Sequence, residues 1–594
     1  MLICNLLLVL IFHHRDGYLS FGPPRFSLAV AFLRRKSFSC NWLRRPNRGH
    51  SGALRPAAKR PIRTSNRGGI QASGAAAESR AALPTRLAPD TKWDRNVMAG
   101  NAYIAIDLGA ESGRTIVGLV DRGRLHLAEI HRFRHLARQL PSGLHWDLMG
   151  LWGNILEGVA CAVDWADSQG QTLTSLGVDT WGVDYALLGQ SGELLAMPHC
   201  YRDERNNVAF DRAVEAVGAE TLYDATGIQL LPLNTLFQVL AQHAAEPELL
   251  SRAQQLLFIP DLLHYFFTGR TTCEATIAST SQMTDARTGT WNLDLLAKLA
   301  LPTQMLQDIV PPGTNVGTIL PHVAAATGAS EQLQVVAPAS HDTASAIAAV
   351  PAEVGTSWAY ISSGTWSLMG AELPGPCVTP AARAANFTNE GGVDGTIRFL
   401  KNLIGLWPVQ ECRRALENSG QTLDYAALTA AAADAEPFRT LLDLNYPPLM
   451  SPGEMPRKIA DFARASGQPE PESAGQLVRC CLESLALLYR RTLDELEAVL
   501  ERKFDVLHVV GGGGRNELLN QFTANAVGRP VVVGPEEATA AGNVLVQAMA
   551  AGQIANLAEL RKVVRTSFEP KRYEPEDTDA WSAAAARFAE IIGG

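Results

Sequence analysis

The chain has 594 residues, 46% of them hydrophobic, enough for several buried cores and for more than one domain. Its net charge of −8 is unevenly divided: 17 Lys and Arg against 4 Asp and Glu precede Met98, an excess of 13 positive charges that leaves −21 on the remainder. Such an acidic body repels phosphate backbones, which argues against nucleic acid and for small ligands, and no run approaches the roughly 18 apolar residues of a membrane-spanning helix, so no stable membrane association is expected.

The opening MLICNLLLVLIF is apolar but lacks the basic start and small-residue cleavage pattern of a secretory signal. From Arg15 to Arg95 the chain is rich in Arg, Pro, Ser and Gly and shows no period of 2 or 3.6. This reads as a disordered tail, as an organellar transit peptide, or as residues upstream of a native start at Met98, the reading preferred here. Residues 1–97 are assigned no function. From Met98, YIAIDLGAESGRTIVGLVDRGRLHLAEIHRF reads as three strands joined by turns, followed by a helix over Leu148 to Trp165 and a further strand in LTSLGVDTWGVDYALL. Helical and loop segments fill roughly residues 203 to 330, and VVAPASHDTASAIAAV is a strand running into an Ala-rich helix.

At Ala359 the pattern restarts: AYISSGTWSLMGAEL is again strand, glycine-containing turn, strand. LKNLIGLWPVQ reads as a helix, LVRCCLESLALLYRRTLDELEAVL as a long amphipathic helix, and DVLHVVGGGG as a buried strand ending in glycines before another helix. The expected architecture is two related α/β domains, 98–350 and 351–594, meeting at a ligand-binding cleft. The nine cysteines are scattered, odd in number and never spaced Cys-x-x-Cys, which fits reduced thiols of a cytoplasmic protein. His131 and His135 stand four apart on a strand pattern, which does not make a metal pair.

Three turns have the chemistry to hold a nucleotide. AIDLGAESGRT brings Gly109, Ser112, Gly113 and Arg114 to the end of a strand whose Asp107 can meet Mg²⁺ directly or through water. SSGTWS, Ser362 to Ser367, repeats that character, and Gly511 to Gly514 leave a bare backbone at a helix start, against which a purine can lie. Each reads equally as ordinary turn chemistry. No G-x-x-x-x-G-K-[ST] is present, and no G-x-G-x-x-G followed by the acid of a dinucleotide fold. In PASHDTASA, Ser340 or Asp342 can simply cap the helix; a hydrolytic triad is excluded because consecutive side chains diverge.

Taken together, DLGAESGR, SSGTWS and VVGGGGRN resemble the two phosphate loops and the adenosine loop of the FGGY carbohydrate kinases. GVDTWGVDY, ASHDTASA, NFTNEGG and LKNLIGLWPVQ are similar to those members that phosphorylate L-rhamnulose. The resemblance covers Met98 to about residue 575. It implies two RNase H-like (actin-like ATPase) domains and ATP- and Mg²⁺-dependent phosphorylation of L-rhamnulose at O1, with Asp342 as general base. It further implies sugar contacts at Gly182, His341, Asp342, Thr343 and Asn402, and ATP contacts at Ala110, Glu111, Ser112, Gly113, Arg114, Thr365, Gln410, Gly512 and Gly513. The helix start is expected to help keep Asp342 ionised. Trp181, Asp179 and Asp184 are further candidates for the sugar, as an apolar face and two carboxylates. Glu111 departs from the family, which often has Ser there. Two other functions stay open: a kinase for another ketose such as L-fuculose, and an actin- or chaperone-like nucleotide switch.

Overall fold

The computed structural model describes residues 100–593 apart from Thr422, so the readings made for residues 1–97 lie outside the described residues. Two mixed sheets organise the chain. The first consists of β1 (Asn101–Leu108), β2 (Ser112–Asp121), β3 (Arg124–Arg134), β4 (Thr172–Thr180), β5 (Thr314–Thr318) and β6 (Gln334–Ala337), in the order β5-β6-β4-β1-β2-β3. The second consists of β7 (Trp358–Ser363), β8 (Trp366–Leu373), β9 (Thr388–Gly391), β10 (Ile397–Ile404), β11 (Val506–Val510), β12 (Val531–Val533) and β13 (Lys571–Tyr573), in the order β9-β10-β8-β7-β11-β12-β13. Each sheet begins with an antiparallel meander, adds two parallel strands beside the first strand, and ends on an antiparallel edge.

The helices that matter for the site are α1 (Leu148–Gln169), α2 (Asp342–Ala348), α3 (Trp407–Asn418), α4 (Ala474–Leu500), α5 (Glu517–Val527) and α6 (Ala538–Ala550). The near-continuous apolar strands follow from burial on both faces. In β1, Ala102, Ile104 and Ile106 pack with Leu151, Ile155 and Val159 of α1, while Tyr103 and Ala105 face the opposite way. In β7, Ala359 and Ile361 join the core under α4, and Tyr360 faces the other way.

The faces turned away from α1 and α4 share a third core, in which Ala344, Ala346 and Ile347 of α2 meet Ala540, Ala541 and Val544 of α6. Small residues let these two helices approach closely: a Cβ added at Gly542 would stand 1.8 Å from the carbonyl oxygen of Ser345. Polar side chains of α6 tie it to the first sheet, with Asn543 Nδ2 donating to Asp179 Oδ2 at 2.6 Å and Gln547 Nε2 to the Ile104 carbonyl at 2.9 Å. The Ala-rich composition after Asp342 therefore serves the seam between the lobes.

LKNLIGLWPVQ is not one helix. Its first half belongs to β10, paired on both sides with β8 and β9, and α3 starts only at Trp407 with Pro408 in its first turn. A short apolar run does not distinguish strand from buried helix by period alone, and here two neighbouring strands supply the hydrogen bonds. Among the described residues no helix is long and apolar enough to cross a membrane.

Candidate active site

A cavity of about 480 Å³ opens between the lobes, in the size range of small-molecule sites. One wall is the β1–β2 turn, Gly109 to Ser112, closed by a hydrogen bond from Gly109 N to the Ser112 carbonyl at 3.0 Å. The β7–β8 turn lines it too, with Ser363, Gly364 and Thr365 on the cavity. That second turn is held from below, because Gly405 N donates to the Thr365 carbonyl at 3.1 Å and Leu406 N to the Gly364 carbonyl at 3.0 Å.

The glycine run supplies a third wall. Gly511 (φ 87°) and Gly512 line the cavity, whereas Gly513 and Gly514 are buried behind them. A Cβ at Gly513 would lie 2.1 Å from Ser363 Oγ, so bare backbone is needed where the run presses on the β7–β8 turn. Thus only the first two glycines face the cavity; the other two pack behind them.

Asp342 is the first residue of α2, and neither it nor Ser340 caps that helix: His341 occupies the cap position without a capping bond. Asp342 Oδ1 accepts from Thr343 N at 2.6 Å and from Thr343 Oγ1 at 3.1 Å, and lies 3.4 Å from His341 Nε2. These contacts all fall on Oδ1, which leaves Oδ2 as the oxygen available to a ligand. Burial pushes the pKa of Asp342 up; His341 and the Thr343 bonds oppose this, and the charge of Asp107 adds to it. The net direction is upward although the carboxyl stands at a helix start, because the walls of the cleft desolvate it.

His341, Asp342, Thr343, Gly182 and Asn402 all line the cavity, as do Ala110, Glu111, Ser112, Thr365 and Gly512. A Cβ added at Gly182 would come 3.3 Å from Thr280 Cγ2 and 3.4 Å from His341 Nε2, so a side chain there would sit in contact with both. Asn402 reaches the cavity from β10, its N and Nδ2 both donating to Gln229 Oε1 at 3.0 Å across the lobes. Glu111 is half-exposed, 3.8 Å from Arg202 Nη1. Asp107, Gly113, Arg114, Gln410 and Gly513 do not line the cavity. A Cβ at Gly113 would strike Phe133 and Leu108, and Arg114 lies between Asp107 and Glu537, paired to both.

The carboxylates of GVDTWGVDY are already engaged. Asp184 accepts from Trp146 Nε1 at 2.6 Å, Trp181 Nε1 at 3.0 Å, Gln238 Nε2 at 2.9 Å and Tyr201 N at 3.2 Å. Burial raises its pKa to about 6 against those bonds, and none of its surface is offered to a sugar. Asp179 is fully buried on Asn543. Trp181 does line the cavity, stacked on His135 with ring centroids 5.2 Å apart.

Several cavity residues carry no motif signal: Gln229, Asn234 and Thr280 come from the irregular region before β5, and Glu390 from β9. Glu390 sits inside NFTNEGG, a block conspicuous in the sequence from which no individual residue had been singled out.

Comparison with known proteins fixes the family. Residues 102–348 match the N-terminal domain and residues 359–551 the C-terminal domain of the FGGY family of carbohydrate kinases. The chain is 43% identical over 490 residues to the rhamnulokinase of Bacteroides thetaiotaomicron, an alignment covering 82% of this chain and 99% of that protein. The chain belongs to the FGGY family of carbohydrate kinases. It is an ATP-dependent carbohydrate kinase, with the two-lobed α/β fold of that family. The rhamnulokinase of Bacillus subtilis is 38% identical over 80% of this kinase and 96% of its own length. Among solved structures, gluconate kinase from Lactobacillus acidophilus superposes with a TM-score of 0.69 at 16% identity, covering 83% of this chain and 98% of that one. Plasmodium falciparum glycerol kinase with ADP gives 0.67 at 15%, covering 84% and 99%. At those identities the likeness is one of fold.

Proposed function

We propose that this kinase transfers the γ-phosphoryl group of ATP to the O1 hydroxyl of L-rhamnulose, with Asp342 as general base. The observation that carries the reading is that Asp342 lines the same cavity as His341, Gly182 and Asn402 and as Thr365 and Gly512, with its own hydrogen bonds confined to Oδ1. The rhamnulokinases to which the chain is similar supply the substrate. A sugar hydroxyl is a weak nucleophile at neutral pH, so transfer needs a base at the attacking oxygen and neutralisation of charge at the phosphates. Asp342 Oδ2 takes the proton; His341 and Asn402 hold neighbouring hydroxyls; backbone N–H groups of the two hydroxyl-rich turns meet the phosphates. Trp181, Val183, Leu231 and Leu233 offer an apolar surface for the methyl group of a deoxyketose.

The residues present fit a magnesium ion that arrives with the nucleotide. Asp107, Asp179 and Asp342 act on one another electrostatically, which raises the Asp179 pKa beyond the effect of its burial, and Asp179 Oδ1 is buried without a hydrogen-bond partner. No group of three protein ligands forms a cage among the described residues, in keeping with an ion bound through one or two carboxylates, waters and phosphates. Asp107, which stands off the cavity and is paired to Arg114, would hold it through water, and the bound ion would neutralise charge on the phosphates.

Because the base must be ionised, kcat/KM falls as pH falls through its pKa. The raised pKa of Asp342 places that acid limb above the ordinary carboxylate value of about 3.9, and a kcat/KM profile on purified kinase checks it. Gly182→Ala brings a methyl group against His341 and is expected to raise KM for the ketose more than KM for ATP, measured by varying each substrate in turn. A coupled ADP-release assay over L-rhamnulose, L-fuculose, D-xylulose and glycerol tests the substrate, with phosphorus NMR of the product locating the ester. Faster turnover of L-fuculose, or an ester away from C1, refutes the proposal.

A further inference from the structure

We infer that Glu390 and Arg398 of the second lobe are positioning residues for the base: they hold the His341 ring with its proton on Nε2, and so make the alignment of Asp342 depend on docking of the two lobes. The inference rests on the reading of Asp342 as base given above.

Glu390 and Arg398 are direct cross-strand partners on β9 and β10. Both are almost completely buried, Glu390 at 4% and Arg398 at 1% exposure. Arg398 Nη2 lies 3.0 Å from Glu390 Oε2 and 3.1 Å from His341 Nδ1, while Arg398 Nε donates to the Gly391 carbonyl at 2.8 Å. Glu390 Oε2 is 3.4 Å from the same His341 Nδ1. A guanidinium has donors only, so the nearer contact requires Nδ1 to accept. The imidazole hydrogen then sits on Nε2, the nitrogen 3.4 Å from Asp342 Oδ1. This is the arrangement in which His341 can donate to the carboxylate or to a bound hydroxyl.

The two lobes divide the work of holding this loop. Its backbone belongs to the first lobe: Ser340 N donates to Glu274 Oε2 at 3.1 Å, His341 N to Thr276 Oγ1 at 3.1 Å, and Thr180 N to the Ser340 carbonyl at 2.9 Å. The Nδ1 side of the His341 ring is held from the second lobe, by Arg398 and Glu390, while Nε2 faces Asp342. Asp342, for its part, is faced by Asp107 of β1 and by His341. A buried Arg–Glu pair is a poor stabiliser compared with an apolar pair of similar volume, because desolvation of both charges offsets their attraction. Its value here is directional. It orients a ring that touches the base, and it does so only while β9 and β10 lie against the loop that carries His341.

The test uses Arg398→Met, Arg398→Lys and the charge-neutral double variant Arg398→Met/Glu390→Gln, which avoids stranding a buried carboxylate if the single variant folds poorly. Rates are taken per nucleotide-binding site, titrated with ATP. The expected result is a loss of kcat of roughly 10- to 100-fold in Arg398→Met and in the double variant, the cost of a misplaced catalytic group, with KM for ATP unchanged. Arg398→Lys, which keeps a donor, should recover part of that loss. A folded double variant with kcat within twofold of the parent overturns the inference, as does Arg398→Lys no better than Arg398→Met. Asp342→Asn measured alongside separates the two ideas. If it is inactive while the double variant behaves like the parent, only the positioning role is refuted; if it phosphorylates at the parent rate, the base assignment is lost and the positioning role with it.

Discussion

Asp342→Asn is expected to lower kcat for ketose phosphorylation by roughly 10²–10⁴-fold, the usual contribution of a positioned general base, while ATP binding persists. The asparagine keeps the shape of the side chain and an oxygen for the Thr343 bonds, but it cannot accept the hydroxyl proton on Oδ2. Stability should move the other way. Asp342 is desolvated and within the field of Asp107, and its charge also opposes ionisation of Asp179. Neutralising one member of this trio relieves repulsion, so the Tm of the variant should equal or exceed that of the parent. Active sites commonly trade stability for function in this manner. The same variant discriminates an enzyme from a nucleotide switch: ATP binding retained with ketose phosphorylation abolished excludes the switch, whereas full phosphorylation would refute Asp342 as base. Calorimetric ATP binding, a coupled assay and a thermal melt provide the three readouts.

Gly542→Ala carries the second large effect, and it is structural in origin. The added methyl would meet the carbonyl oxygen of Ser345 at 1.8 Å and its carbonyl carbon at 2.5 Å. Both atoms belong to the backbone of α2, so no side-chain rotation relieves the clash and the two helices must separate. Overpacking of this kind costs about 1–3 kcal/mol. Since α2 begins at Asp342 and α6 belongs to the second lobe's chain segment, the displacement also moves Asp342 relative to the glycine-rich turns that line the cavity. The expected outcome is a lowered Tm together with a fall in kcat, at unchanged mass and secondary-structure content. Gly552→Ala, at a turn with open space around it, tests a glycine outside the seam, though its φ of +74° means that some local strain is expected there too. A Gly542→Ala kinase with parent-like Tm and kcat would show that the helix contact is not as tight as the backbone geometry requires.

Both effects trace to the stretch PASHDTASAIAAV, and its two halves were not equally legible. The polar half was readable as cavity-lining, because a carboxylate at a strand-to-helix junction is local chemistry and because the three glycine- and hydroxyl-rich turns occur in order around it. The small residues that follow look like ordinary helix formers; their purpose emerges only when Gly542, nearly two hundred residues later, is found against Ser345. Asn402 shows the same limit. Its place in the cavity was anticipated from resemblance, but the segment was read as a helix, since β8, whose Leu368 pairs with Asn402 and makes the segment a strand, is encoded well upstream.

What the sequence determined by itself were the elements whose causes are local: apolar strands ending in turns, the repeated strand-turn-strand pattern that marks two lobes, and the bare backbone of Gly511 to Gly514. Tertiary structure alone decided which polar groups remain free for a ligand. Asp179 and Asp184 look as exposed in sequence as Asp342, yet Asn543 claims the first, and Trp146, Trp181, Gln238 and the Tyr201 backbone claim the second. Tertiary structure also brought Glu390 and Arg398 to His341. The reason is that a buried charge must find its partners wherever the fold brings them, and lobe docking joins residues that have no proximity along the chain.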